Sequence, residues 1–328
     1  MNLLITGGAG FIGSHFTAFA LGGGPHFTQD VRVTVLDSLT RSGNAANLDS
    51  VATDQRFRFV HGDIRDARLV DRVVQGHDAV VHFAAETHVD RSITSAGPFV
   101  ATNVVGTQVL LDAALRHSVG RFVHVSTDEV YGSISDGSWS ESSPLKPNSP
   151  YAASKASADL LALSYQRTHG LDVVVSRSSN TYGSRQFPEK LIPLFLTNLM
   201  EGLSVPLYGS GQNVRDWLHV SDHCRAIALI LHCGRSGEVY NVGGGTELTN
   251  EDVTARLLSA CDAGWDMVDR VPDRKGHDLR YSLDTRKIAA ELGYAPQRKF
   301  DEAIEETIRW YRDNRSWWYP LKAAAALT

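Results

Sequence analysis

The chain has 328 residues, 42% of them hydrophobic and 21% charged, a balance that suits a globular protein with a substantial core, built as one large α/β unit or two domains. Its formal charge of −5 comes without a long basic run, which argues against nucleic acid as the main partner but leaves room for a locally basic pocket. The chain does not open on a basic leader, and no apolar stretch approaches the ~20 residues of a membrane span, so neither a signal peptide nor a membrane partner is expected. Cys224, Cys233 and Cys261 are odd in number and lack the spacing of a zinc site or a disulfide framework. They are expected to be buried or partly buried small hydrophobes in a reducing cytoplasm, with no metal.

The first strand, residues 2–6, ends in Thr6-Gly7-Gly8-Ala9-Gly10-Phe11-Ile12-Gly13 and runs directly into a helix over 11–21. A Gly-rich turn between strand and helix lets the backbone approach a pyrophosphate, whose charge then sits at the positive helix N-terminus. A second strand over 32–36 leads to Asp37, about 24 residues on, near the interval at which a carboxylate meets the adenosine ribose. Such a carboxylate repels a 2′-phosphate and favours NAD over NADP. Arg41, close by, tempers that preference.

Further strands are expected at 57–61, 79–83, 121–126 and 172–177, several of them nearly continuous Val, Ile, Leu and Phe as in strands covered on both faces. Helical patterns at 66–74, 98–117 and 151–168 lie between them. Repeated β-α-β units imply a Rossmann-type, doubly wound parallel sheet with ligands at the carboxyl ends of its strands.

Two chemical motifs sit at such strand ends. Ser126-Thr127-Asp128-Glu129-Val130-Tyr131-Gly132 follows the fifth strand and sets two adjacent carboxylates at the sheet edge. On an extended segment, consecutive side chains point apart, so Asp128 and Glu129 could flank a sugar in different roles. Tyr151-Ala152-Ala153-Ser154-Lys155 opens the next helix, where i, i+4 spacing puts phenol and ammonium on one face. A free tyrosine has a pKa near 10, and a neighbouring cation would lower it toward use as a base.

After about Asn180 the rhythm changes to a helix at 189–200, a short strand at 205–207, a helix at 222–231, a strand at 238–242, a helix from Asn250 and a last helix at 301–313. This reads as a smaller, mixed α/β substrate-binding domain over 181–322, beside an NAD-binding domain over 1–180. The Ala-rich residues 323–328 read as a frayed tail.

The spacing Gly7-x-x-Gly10-x-x-Gly13 resembles the extended short-chain dehydrogenase/reductase superfamily. The strings STDEVYG, SPYAASK and NTYGSRQFPEKLIPL resemble the dTDP-glucose 4,6-dehydratases, and the likeness runs from TGGAGFIGSH to DRKGHDLRYSLD. Nucleotide-sugar epimerases share the Gly motif and the Tyr/Lys pair but are less similar at Thr127-Asp128-Glu129.

The resemblance implies NAD as a catalytic cofactor, held by the Gly motif, Asp37, Ser38, Leu39, Thr40 and Gly43. It adds Asp63 and Ile64 by the adenine, Phe83-Ala84-Ala85 beneath the cofactor, and Thr87, Thr102, Tyr151 and Lys155. It implies that Tyr151 takes the proton of the sugar 4-hydroxyl, Lys155 holds the ribose, and Thr127 hydrogen-bonds O4. Glu129 would remove the C5 proton and Asp128 protonate the departing 6-hydroxyl. Thr87, Asn180, Lys190, Leu191, Arg215 and Asn250 would meet the sugar diphosphate, with Pro206-Leu207-Tyr208 packing the base. Arg274, His277 and Tyr281 would close the far side. Relatives pair as homodimers through the helices at 98–117 and 151–168, which is the expected assembly. Two departures stand out: Thr87 where the family more often has Ser, and Thr181 with Ser184-Arg185 inside what is usually Asn-Asn-Tyr-Gly-Pro-Tyr.

Overall fold

A computed structural model describes residues 1–326, so the last two residues of the expected tail lie outside it. Twelve strands follow in chain order. The first six are β1 (Asn2–Thr6), β2 (Arg32–Asp37), β3 (Phe57–His61), β4 (Ala79–His82), β5 (Arg121–Thr127) and β6 (Val173–Ser178). The others are β7 (Asn180–Tyr182), β8 (Val205–Tyr208), β9 (Val214–His219), β10 (Val239–Val242), β11 (Glu247–Thr249) and β12 (Val268–Val271).

Seven strands form one parallel sheet in the order β10-β6-β5-β4-β1-β2-β3, the doubly wound arrangement expected. Its central strands are apolar on both faces because helices cover both. Leu3, Ile5, Val33, Val35 and Val123 pack on one side, and Leu4, Val80, Phe122, Val173 and Val175 on the other. The remaining strands make a three-stranded sheet, β11-β9-β7, and a pair, β12-β8. These small sheets lean on a separate core of Phe195, Leu196, Trp217, Leu257, Phe300 and Tyr311.

The expected boundary at 180 does not divide the large sheet. β10 pairs with β6, and the helix Val220–Cys233 packs its Ile227, Ile230 and Leu231 into the large sheet's core. The chain therefore crosses to the smaller unit after β6, returns for residues 220–242, and leaves again. At the other end, residues 323–326 continue the helix Arg315–Ala326 rather than fraying.

The helix expected at 98–117 is a helical run whose central part, Val100–Gly106, is a π-helix flanked by Gly97–Phe99 and Thr107–Arg116. π segments recur at functional sites because they re-aim side chains. Here Asn103 accepts from the Glu86 amide (2.8 Å) and donates to the Glu86 carbonyl (3.0 Å) and to Ser154 Oγ (2.8 Å). It ties the loop after β4 to the helix that carries Tyr151. By length and composition, Gly97–Arg116 is the one helix among the described residues that could cross a membrane, contrary to the expectation that no stretch reaches that length. Its Leu110, Leu111, Ala113 and Ala114 are fully buried against the sheet, which accounts for the apolar composition.

All three cysteines are free; Cys224 is buried and Cys261 half-buried as expected, but Cys233 is exposed at the last turn of its helix.

Candidate active site

A cavity of about 380 Å³ opens along the carboxyl ends of β1, β2, β4, β5 and β6. Its floor is the Gly-rich turn. Gly7 sits at φ +70°, and a Cβ there would come within 2.5 Å of the Ala84 amide nitrogen, so only glycine lets this turn lie on the Phe83-Ala84 loop. At Gly13 a Cβ would meet the Gly7 carbonyl oxygen at 2.3 Å, so the helix Phe11–Leu21 packs tightly on its strand. Gly10 caps that helix without a side-chain hydrogen bond, leaving its first amides available to an anion at the cavity floor.

Asp37 closes β2 and is buried, and it accepts from the Ala9 amide (2.9 Å) and the Leu39 amide (2.8 Å). Burial raises its pKa, and those amides oppose the rise. Each carboxylate oxygen keeps a further lone pair, so the group can still receive ribose hydroxyls. The turn, the uncapped helix and the carboxylate fit a dinucleotide.

Of the residues expected to hold the cofactor, Gly7, Gly10, Phe11, Ile12, Gly13, Asp37, Ser38, Thr40, Gly43, Asp63, Ile64, Phe83, Ala84, Ala85, Thr87, Thr102, Tyr151 and Lys155 all line this cavity. Leu39 does not. It takes a left-handed φ of +49°, and its side chain packs against the hydrophobic core. Arg41 is engaged by Glu189 at 3.2 Å, a contact that no local pattern in the chain foreshadows.

The chemical groups meet at the far end of the cavity. Ser149 accepts from the Ala152 amide, and Pro150 occupies the first turn, so the helix Pro150–His169 starts cleanly and presents Tyr151 there. Lys155, one turn on, is buried and donates to the Val125 carbonyl at 2.8 Å. Burial lowers its pKa to about 8, with Asp159 opposing.

Tyr151 is raised rather than lowered: burial dominates, and the negative Glu129 adds to it, while Thr127 pulls the other way. Among the protein's own groups the phenol is therefore not acidified, because burial and the nearby carboxylates outweigh the Thr127 hydrogen bond.

Asp128 and Glu129 are not on an extended segment. β5 stops at Thr127, whose hydroxyl accepts from the Glu129 amide (3.3 Å) and caps a 3₁₀ turn over Asp128–Tyr131. The two carboxylates thus diverge by the 3₁₀ rotation rather than by strand alternation. Asp128 Oδ1 accepts from Thr127 Oγ1 at 3.2 Å, while the buried Oδ2 has no hydrogen-bond partner among the described residues.

Burial raises both acids, and their neighbouring charges differ. Burial and the charge of Glu129 push Asp128 well above the usual carboxylate range. Burial also raises Glu129, but Arg274, Lys190 and Arg215 counter it. Asp128 is raised the further of the two, so it holds a proton more readily than Glu129, the difference on which an acid–base pair depends.

A second cavity, of about 590 Å³, adjoins the first and shares Glu129, Asn180 and Lys190 with it. Asn180, Lys190, Leu191, Pro206, Leu207, Tyr208, Arg215, Asn250, Arg274, His277 and Tyr281 all line it. Thr87 and Thr127 lie on the first cavity instead. Arg215 is buried over the Tyr281 ring (4.3 Å) and held by the Asp278 carbonyl (2.9 Å). Arg274 stands 3.8 Å from Asp90, its buried Nε without a hydrogen-bond partner. The Asn180 Oδ1 is likewise buried and unpartnered. Lys190 donates to the Thr87 carbonyl (2.9 Å), so it bridges the two halves as well as facing the cavity.

Sequence reasoning missed Glu189, Ser178 and His223. Glu189 pairs with Arg41 and with Arg91 (2.7 Å), joining loops from both halves. His223 reaches in from the returning helix, its Nε2 2.8 Å from Ser178 Oγ and its Nδ1 2.9 Å from Thr181 Oγ1. Thr181 Oγ1 donates to the Ser179 carbonyl (3.3 Å), so the ring donates from Nδ1 and accepts at Nε2. An asparagine at 181 would offer the same acceptor, so this departure keeps the link that shapes 178–181. Ser184 reaches His15 (3.1 Å), and Arg185 takes φ +62°. No local signal marks these residues, because each acts through contacts distant in sequence.

The family model described as GDP-mannose 4,6 dehydratase matches residues 4–307. A Streptomyces niveus protein named dTDP-glucose 4,6-dehydratase is 64% identical over 323 residues, which cover 98% of this chain and 96% of that protein. Among solved structures, DesIV, a dTDP-glucose 4,6-dehydratase from Streptomyces venezuelae with NAD bound, superposes with a TM-score of 0.96 at 62% identity. That match covers 98% of this chain and 100% of DesIV. A UDP-glucose 4-epimerase from Thermus thermophilus in complex with NAD superposes with a TM-score of 0.87 at 32% identity, covering 96% and 100%.

Proposed function

The chain belongs to the GDP-mannose 4,6-dehydratase family of extended short-chain dehydrogenase/reductases, and from that premise we infer that it converts dTDP-glucose into dTDP-4-keto-6-deoxyglucose. The reaction is a dehydration, and NAD is its cofactor. The observation that carries the reading is the acid pair Asp128 and Glu129, both lining the cavity beside Tyr151, with Asp128 raised further and Glu129 facing Arg274, Lys190 and Arg215. A 4-epimerase needs Tyr151 and Lys155 but has no use for such a pair.

NAD⁺, which the Gly-rich turn and Asp37 would hold, would supply the acceptor and later donor of the hydride and a positive charge that favours the Tyr151 phenolate. Tyr151 takes the proton of the 4-hydroxyl, with Thr127 hydrogen-bonded to O4 and Lys155 held on the same helix face to stabilise the phenolate and the ribose. Once C4 is a ketone, the C5 proton is acidic and Glu129 removes it. Asp128, protonated, gives its proton to the 6-hydroxyl, which leaves as water. Glu129 then returns a proton to C5. Substrate and product differ by one water, with no net redox change. Residues 1–180 together with 220–242 form the cofactor half, and the small sheets bind the nucleotide. Asn180, Lys190, Arg215 and Arg274 face the sugar diphosphate, and Pro206-Leu207-Tyr208 the base.

Purified enzyme should carry NAD and convert dTDP-glucose without added oxidant, because the hydride it removes is given back. A requirement for stoichiometric NAD⁺, with reduced dinucleotide accumulating alongside product, would mark a conventional dehydrogenase and sink the dehydratase reading.

We also propose a homodimer. Val100 and Val105 on one helix and Leu160 on its packed neighbour are 47–58% exposed, an apolar set that a partner copy would cover. Leu160→Glu should shift the species seen by light scattering from dimer to monomer. A variant that stays dimeric, or a monomeric wild type, would remove this face from the assembly. Both ligands are anionic and do not cross membranes unaided, which supports a cytoplasmic location.

A further inference from the structure

The cycle closes only if the dinucleotide stays in place from hydride removal to hydride return, so whatever fixes the Gly-rich turn bears on the reaction. Ala9, in the middle of that turn, is fully buried and held on both sides. Its amide donates to Asp37, and its carbonyl accepts from the Asn44 amide (3.0 Å) and from Asn47 Nδ2 (2.9 Å).

Asn47 lies in the short 3₁₀ helix Ala45–Leu48 and is 2% exposed. Its Oδ1 accepts from Trp317 Nε1 at 3.0 Å, across 270 residues of sequence, and its carbonyl accepts from Arg185 Nη1 at 3.3 Å. Trp317 belongs to the helix Arg315–Ala326, which lies beyond the stretch matched by the family model. That helix is itself anchored. Trp318 donates to the Tyr311 carbonyl (2.7 Å), Trp317 packs edge-on against Trp310 (5.0 Å), and Lys322 and Arg315 pair with Glu201 (2.6 and 3.5 Å). Tyr311 in turn donates to the Gln186 carbonyl, on the loop that lines both cavities.

We propose that the C-terminal helix is a strap that sets how firmly the dinucleotide is retained, with Trp317 and Asn47 as its positioning residues. Neither lines the cavity; both act through Ala9. Tryptophan has one donor and no acceptor, so its indole N–H orients Asn47 with Oδ1 toward the strap and Nδ2 toward the turn. Without that donor the buried amide loses its reason to stay in this orientation, and the carbonyl of Ala9 loses one of its two restraints. The proposal rests on NAD being the cofactor.

The test is NAD release. Trp317→Phe keeps an aromatic ring against Trp310 while removing the N–H donor and the smaller ring that carries it. It should speed NAD dissociation from the holoenzyme about three- to tenfold, the span expected from one neutral hydrogen bond. The melting temperature of NAD-free protein should change little, and kcat at saturating NAD should stay near that of wild type. Asn47→Ala should act in the same direction, and the double variant should release NAD no faster than the worse single one, since both break one linkage. Wild-type release rates in Trp317→Phe, a lower melting temperature with unchanged release, or additive effects in the double variant would each overturn the strap. Failure of the cofactor reading looks different: wild-type protein would hold no dinucleotide, and the proposal would fall with it.

Discussion

Tyr151→Phe is expected to lower kcat by about 10²–10⁴-fold while leaving NAD content and fold intact, because it deletes one proton acceptor and nothing else of consequence. The ring is fixed by packing, with Phe99 edge-on at 6.4 Å and Val89 in the same small cluster, and phenylalanine fills that place without strain. The hydroxyl is the only group lost. Its burial matters for the size of the effect. Tyr151 sits where its pKa is raised by burial and by Glu129, so it serves as a base only when a cation stands beside it. Water entering the space left by the hydroxyl would lack that coupling. The check is single-turnover oxidation, read as reduced-dinucleotide absorbance after mixing with dTDP-glucose. A Tyr151→Phe variant that still oxidises C4 at the wild-type rate would assign the base elsewhere.

The pH profile should carry a matching signature. Lys155, pulled down to about 8 by burial, holds its charge below that value and loses it above. Stabilisation of the phenolate therefore weakens on the alkaline side.

How much of this was legible in the sequence depends on how local each signal is. The parallel strands were readable because β1, β4 and the first half of β6 are short apolar runs, as burial on both faces demands. β9 was not. Its Val-Arg-Asp-Trp-Leu-His mixes charge with bulk, because the buried Arg215 lines the second cavity and the buried Asp216 accepts from the Gly244 and Thr246 amides. The Gly turn, Asp37, Tyr151 and Lys155 were readable because each depends on a fixed short spacing. Leu39 was expected beside the cofactor with its sequence neighbours, but its left-handed backbone turns its side chain toward the core rather than the cavity. Glu189, His223, Asn47 and Trp317 left no trace. Their side-chain hydrogen-bond and ion-pair partners are 38 to 270 residues away, and a lone Asn or Trp has no spacing to betray it.

Dehydration and epimerisation part company at the acid pair, and there Asp128→Asn and Glu129→Gln are expected to leave C4 oxidation possible while slowing product formation by about 10²–10⁴-fold. An amide can neither protonate O6 nor take the proton from C5. Both variants should keep NAD and, after mixing with dTDP-glucose, build up reduced-dinucleotide absorbance that wild type shows only weakly. The two differ in what else they lose. Glu129→Gln should slow exchange of the C5 hydrogen with deuterated solvent, whereas Asp128→Asn should spare that exchange more than it spares product. The pH dependence has a definite sign. Glu129 must be ionised to act and its pKa is raised, so wild-type kcat/KM should fall on the acid side above the ordinary carboxylate range. Asp128 must be protonated and its pKa is raised further, so its competence extends to higher pH than an ordinary carboxyl's and is lost as pH climbs through its shifted value. Removing Glu129 should abolish the acid limb. Wild-type rates of 4-keto-6-deoxy product from both variants would show that elimination proceeds without this pair, and the roles assigned to Asp128 and Glu129 would have to be given up.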